Sequence, residues 1–174
     1  MKIEITTSRL RLVPCADEHF EDAYRIWTNE AVRRYLFDDR AIGADEARGF
    51  VAASDESFAG EGYGLWLVFR KDSPSAPIGF AGLLRAETGA PNLIYGLDPR
   101  HWGAGFAAEA ARGVLRDAFT RLDLPAVAAD VDEPNVDSVR VLRRLGMRRT
   151  GRATVAGRPL LYFAVTRDEY LEHD

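Results

Sequence analysis

The sequence predicts an α/β fold built on a mixed sheet, and three observations carry that prediction. Residues 92–97 and 125–131 read as strands, and the longest amphipathic stripe of the chain lies between them. A strand–helix–strand unit of this length makes its two strands parallel, joined by a right-handed crossover. The strands over 63–69, 78–84 and 92–97 follow one another without a helix between them and so pair antiparallel, and a last hairpin closes the chain. Antiparallel runs around one parallel pair, with helices between them, make a mixed α/β sheet.

Each element has its own signal. Arg9, Leu10, Arg11 and Leu12 alternate toward Pro14, which predicts a short first strand. Phe20, Ala23, Tyr24 and Trp27 recur at helical spacing, with Asp17 ahead of them as a candidate cap. A second helical piece starts near Asn29, and the turn-rich Asp38-Asp39-Arg40 interrupts it. Residues 44–58 read as another helix. Residues 63–69 and 78–84 read as a hairpin across Asp72-Ser73-Pro74-Ser75, and a strand over 92–97 ends at Asp98-Pro99. Ala107, Ala110, Ala111, Val114, Leu115, Ala118, Phe119 and Leu122 then form one continuous helical stripe, with Glu109, Arg112, Arg116 and Thr120 on the polar face. After the strand over 125–131, Pro134 opens a helix that Val136, Val139, Leu142 and Leu145 carry to Gly146. Residues 150–155 and 160–165 form the closing hairpin across Ala156-Gly157-Arg158-Pro159.

The 174 residues fit a single domain spanning 1–174, and 47% hydrophobic with 29% charged residues is ordinary globular composition. A net charge of -4 speaks against a nucleic-acid partner, because no basic field surrounds the molecule. Cys15 is the single cysteine, so no internal disulfide forms, and it reads as a buried thiol in a cytoplasmic protein. His19, His101 and His173 lie far apart and show no metal-ligand spacing, so no metal is expected. The N-terminus lacks the apolar run of a signal peptide, and no stretch is long enough to span a membrane. A homodimer is compatible with the sequence, which shows no exposed heptad.

The segment Arg100-His101-Trp102-Gly103-Ala104-Gly105-Phe106-Ala107 lies between a strand end and a helix start. Backbone N–H groups at a helix N-terminus lack intrahelical partners, and the macrodipole adds positive charge there. Glycines let successive N–H groups face one anion with no Cβ in the way, which makes the segment a candidate phosphate cradle. Two cofactor classes fit the pattern. Gly103-x-Gly105-x-x-Ala108 satisfies the dinucleotide spacing, with Asp130 and Asp132 near the end of the next strand. Against that reading, five residues separate the strand from its first glycine, and the chain after Asp132 is too short for a doubly wound sheet.

These residues resemble the GNAT acetyltransferases, whose pyrophosphate loop is written Q/R-x-x-G-x-G/A and stands here as Arg100 to Gly105. Asn135 to Met147 resembles the family's second cofactor motif, N-x-x-S…L-G-[FM], with Asn135, Ser138, Leu145 and Gly146 in place. Thr7-Ser8-Arg9-Leu10-Arg11-Leu12 resembles the opening of the RimJ/RimL-like subgroup, which acetylates protein N-terminal amines. The resemblance implies a mostly antiparallel sheet of about seven strands with one splayed parallel pair. It implies acetyl-CoA as co-substrate, with backbone groups near Leu97 pairing with the pantetheine arm. Residues Trp102 to Ala107 would hold the pyrophosphate, and Asn135 and Ser138 would lie near the sulfur. The implied reaction is direct transfer of the acetyl group to a primary amine, on a protein N-terminus or a small molecule.

Two departures bear on mechanism. The position seven residues after Asn135, where many members carry a Tyr as general acid, is Leu142, which leaves Ser138 to assist the thiolate. Asn92 stands where many carry a Glu base, and an amide cannot take a proton. Asp130, Glu133 and Asp38 are the alternative carboxylates. The loss of both groups also leaves open a non-catalytic acyl-CoA sensor. Tyr35, Phe37 and Asp38, with Asp39, are the candidate acceptor site, aromatic and acidic as a cationic amine requires. Arg140, Arg143 and Arg144 are candidates for the cofactor's 3′-phosphate.

Overall fold

The computed structural model describes residues 2–36 and 39–173. Its eight strands form one sheet: β1 (Ile5–Thr6), β2 (Leu10–Pro14), β3 (Leu65–Arg70), β4 (Gly79–Leu84), β5 (Asn92–Leu97), β6 (Ala126–Asp132), β7 (Arg148–Val155) and β8 (Arg158–Thr166), in the order β1-β2-β3-β4-β5-β6-β8-β7. Every neighbouring pair is antiparallel except β5 and β6. The helices are α1 (Phe20–Thr28), α2 (Glu30–Arg33), α3 (Ala44–Glu61), α4 (Phe106–Thr120), α5 (Val136–Arg144) and α6 (Arg167–His173).

The sheet separates two apolar layers. On one face Phe20, Ala23, Ile26 and Trp27 of α1 and Ala47 and Val51 of α3 pack with Leu65, Leu67 and Phe80. On the other face the α4 stripe meets Trp66, Ala81, Leu83, Leu93 and Leu97, together with Val139 and Leu142 of α5. The period of two along each strand divides its side chains between these layers. Val127, Ala129 and Val131 thus face α4, while Asp130 stands on the opposite face of β6.

β5 and β6 are in register at one pair alone, Asn92 with Ala128, where the Ala128 N–H donates to Pro91 O at 2.9 Å. Beyond that point the two strands splay toward Leu97 and Asp132. On its other edge β5 pairs with β4 along its whole length, and the Asp98 N–H donates to Ile78 O. Because backbone groups alternate between edges, the N–H and C=O groups of Leu93, Tyr95 and Leu97 point into the gap.

Several sequence expectations change. Asp17 does not cap α1. It opens a 3₁₀ turn, and His19 Nδ1 accepts from the Ala16 N–H instead. The closing turn is two residues, Ala156 and Gly157, both at positive φ (50° and 78°), so the strands run further toward each other than the four-residue turn allowed. β1 and α6 had no signal, being two and seven residues long, below the length at which periodicity is readable. α6 forms because Tyr170 packs its ring 5.0 Å from that of Phe119. Cys15 is fully buried, and burial, with Asp17 nearby, pushes its thiol up to about 12, as befits an inert core residue.

Candidate active site

The glycine loop continues directly from the open edge of β5. Asp98 ends the strand and caps a 3₁₀ turn over Pro99–His101, accepting from the Arg100 N–H at 3.0 Å. The Arg100 side chain folds back on the same carboxylate, with Nε at 3.1 Å and Nη2 at 3.0 Å. These bonds hold the Asp98 carboxyl below the usual carboxylate range. Arg100 therefore braces the strand end. His101 closes the turn through its N–H to Asp98 O at 2.9 Å. Trp102 is more than half exposed, and its indole Nε1 donates to Leu97 O at 2.9 Å, so that carbonyl of the gap edge already has a partner.

Gly103 and Gly105 both adopt left-handed φ, 82° and 81°. That conformation turns the chain so that Gly105 becomes the N-cap of α4, whose first helical rung runs from the Glu109 N–H to Gly105 O at 3.1 Å. The N–H groups from Phe106 to Ala108 precede that rung and have no intrahelical acceptor. A Cβ at Gly103 would meet nothing within 4 Å, so open space lies over the loop. Phe106 contributes only backbone here, since its ring is buried beneath Arg9 and Arg70, whose guanidinium carbons lie 4.3 and 5.1 Å from the ring centroid.

The loop is held by a residue the sequence singled out only as part of an opening motif. Arg9 donates from Nη1 to Ala104 O at 2.9 Å, from Nε to Glu109 Oε2 at 3.2 Å and from its backbone N–H to Glu109 Oε1 at 3.3 Å. One side chain thus fastens both the loop and the first turn of α4 to the start of β2.

α5 forms the other wall of the gap. Asn135 is its N-cap, with Oδ1 accepting from the Ser138 N–H at 3.3 Å, so half of the Asn135 amide is spent on capping. Ser138 lies in the first turn. Its Oγ sits 2.7 Å from the hydroxyl of Tyr95, which also lies 3.2 Å from Ser138 O. Burial pushes the Tyr95 hydroxyl up to about 12, against the opposing effect of the Ser138 bond. No spacing in the sequence signals Tyr95, because its partner is 43 residues away on another element. On β5 it shares a face with Leu93 and Leu97. Leu142 is a core side chain, 1% exposed, and offers the site nothing.

Of the alternative carboxylates, Glu133 pairs with Arg152 at 2.9 Å; the neighbouring Asp132 pairs with Arg158 at 3.0 Å. Asp130 makes no ion pair among the described residues. Its carboxyl is raised by desolvation and then by Asp132, although the side chain remains accessible. In the acceptor region, Tyr35 is half-buried with the Arg34 guanidinium 5.4 Å from its ring, and Phe37 and Asp38 lie outside the described residues. Asp39 is bound by Arg33, 3.5 Å away, which offsets its charge. Arg140 pairs with Asp137 at 3.3 Å on an exposed helix face.

A family model described as the acetyltransferase (GNAT) domain matches residues 9–148. The Bacillus licheniformis protein named uncharacterized N-acetyltransferase p20 is 26% identical over 147 residues, 83% of this chain and 82% of that protein. Among solved structures, RimL, the ribosomal L7/L12 alpha-N-protein acetyltransferase in complex with coenzyme A, superposes with a TM-score of 0.81 at 18% identity, covering 96% of this chain and 99% of the other. Spermidine N-acetyltransferase from Vibrio cholerae, in complex with CoA and spermine, gives 0.78 at 18% identity over 95% of this chain and 99% of the other. At such identities the structural likeness speaks for the fold alone. The family model spans most of the sequence, and it includes the Arg9 brace, the glycine loop and both walls of the gap: the chain belongs to the GNAT acetyltransferase family.

Proposed function

We propose that the protein is an acetyl-CoA-dependent N-acetyltransferase that acts by direct attack of a primary amine, on a protein N-terminus or a small molecule. The observation that carries this reading is the continuity of two open hydrogen-bonding surfaces. The edge of β5 that faces the gap suits an extended chain with amide groups, and it runs into a helix start whose N–H groups from Phe106 to Ala108 lack intrahelical acceptors, suited to a pyrophosphate. The residues present therefore fit acetyl-CoA, whose contribution when bound is an activated acyl carbonyl. RimL and spermidine N-acetyltransferase, both of this fold, carry names that place amines as acceptors.

The chain's own residues divide the work. Tyr95 and Leu97 hold the donor through backbone groups, and the loop from Trp102 to Ala107 anchors its phosphates. Asp130 takes the proton from the amine, which must be neutral to attack although its own pKa is about 10. Its raised carboxyl is the better base for that task, and it stands on the sheet face opposite α4, one pleat past the splay point. Ser138 stands on the leaving-group side. Tyr35, Phe37 and Asp38 remain the proposed acceptor site.

Release of free CoA on adding peptides with free N-termini, polyamines or aminoglycosides tests the reading. Turnover with one class identifies the acceptor. Tight CoA binding with no turnover on any class would instead establish the non-catalytic acyl-CoA sensor. The nicotinamide-dinucleotide reading loses its basis, because it needs a doubly wound parallel sheet and this sheet holds one parallel pair.

A further inference from the structure

The Tyr95–Ser138 contact crosses the gap. Tyr95 belongs to β5 and Ser138 to α5, so the two hydroxyls join the walls between which the donor would lie. A serine in the first turn of a helix ordinarily returns its proton to a backbone carbonyl one turn back. Here Ser138 Oγ makes no such bond among the described residues. The tyrosine hydroxyl at 2.7 Å is the near partner. A phenol is the more acidic of the two hydroxyls and so the better donor, and its oxygen lies nearer Ser138 Oγ, at 2.7 Å, than its other acceptor Ser138 O, at 3.2 Å.

We propose that Tyr95 is a positioning residue: its O–H donates to Ser138 Oγ and thereby turns the Ser138 proton toward the sulfur of bound CoA. The inference rests on the acetyl-CoA reading above and adds to it the group that orients the leaving-group donor. In the reaction the amine nitrogen bonds to the acyl carbon, the C–S bond breaks, and its electron pair goes to sulfur. The amine proton goes to Asp130, and Ser138 donates a hydrogen bond to the thiolate. Tyr95 keeps its own proton, as a hydroxyl raised to about 12 will do across the working range.

The test reads CoA binding and needs no acceptor. A donor aimed at sulfur favours the thiolate, so the thiol pKa of bound CoA falls below its free value of about 8.5. Affinity for CoA then rises with pH between the bound and free values. The wild type should bind CoA about tenfold tighter at pH 9.5 than at pH 6.5, the equivalent of one pKa unit, after division by the profile of desulfo-CoA. Calorimetric titration of Tyr95→Phe should show that rise lost, with the ring and its packing retained. Ser138→Ala should lose it equally, and the double variant should match either single one. A rise in Tyr95→Phe equal to that of the wild type overturns the proposal, as do losses that add in the double variant. Failure of the wild type to bind CoA at all overturns the acetyl-CoA reading itself, and the proposal with it.

Discussion

Asp130 is where the chemistry of a single residue decides most. Its carboxyl pKa is raised in the folded state, first by desolvation and then by Asp132. An acid with a raised folded pKa is disfavoured as it ionises, so the fold loses stability as pH rises from the unfolded value through the folded one. Asp130→Asn should therefore melt slightly higher than the wild type at pH 7, with no such difference below about pH 3, where the unfolded carboxyl also holds its proton. The same substitution should lower kcat by roughly 10²-fold or more, the range for loss of a general base. Thermal melts beside steady-state rates check both halves, and an unchanged kcat would remove Asp130 from the mechanism. Asn135 shows the opposite case. It stands in the cofactor motif, yet it also caps α5, so Asn135→Ala should cost about 1 kcal/mol of stability. Asn135→Ser keeps a capping oxygen, and comparing the CoA affinity of the two variants separates the cap from the site.

The parallel pair shows how an element becomes a site. β5 satisfies one edge fully against β4 and meets β6 at a single register pair. Unpaired strand edges are costly inside a protein, so a gap kept open in mid-sheet calls for a partner. The closing hairpin shows a different compromise. Its two-residue turn needs positive φ at both positions, and Ala156 supplies 50° with an ordinary side chain. Asn-Gly is the pairing such turns favour. Ala156→Asn should therefore stabilise the fold by about 0.5–1 kcal/mol and raise Tm by about 1–4 °C, with CoA affinity unchanged. A lower melting temperature would mean that the strands, rather than the turn, set this geometry.

Across the whole molecule, the N-terminal strand reaches the site through Arg9, which grips Ala104 O and Glu109 from far earlier in the chain. Arg9→Ala should weaken CoA binding by about tenfold and shrink the rise in Tm that saturating CoA produces, since a ligand that binds only the native state stabilises it in proportion to affinity. Arg9→Lys should not restore it, because a single ammonium cannot span both acceptors. An Arg9→Ala variant with wild-type CoA affinity would show that the loop holds its shape unaided. Much of this architecture was legible in residues alone. The period-3.6 stripe of α4, the strands over 92–97 and 125–131, and the glycine loop between a strand end and a helix start are local matters, set by backbone sterics and by which side chains avoid water. Short range also explains the readings that failed: Asp17 looked like a cap, but it opens a 3₁₀ turn that leads into α1 with no side-chain cap, and α6 was too brief to show a period. What only the tertiary structure decided are the meetings across the chain: Tyr95 with Ser138, Arg9 with the glycine loop, and Asp130 left without a cation among the described residues while Glu133 and Asp132 each took one. Pattern reports which face of an element is buried. It carries no information about which distant element arrives there, because many partners bury the same apolar area equally well, and the selection is made by the packing of the two layers against one sheet.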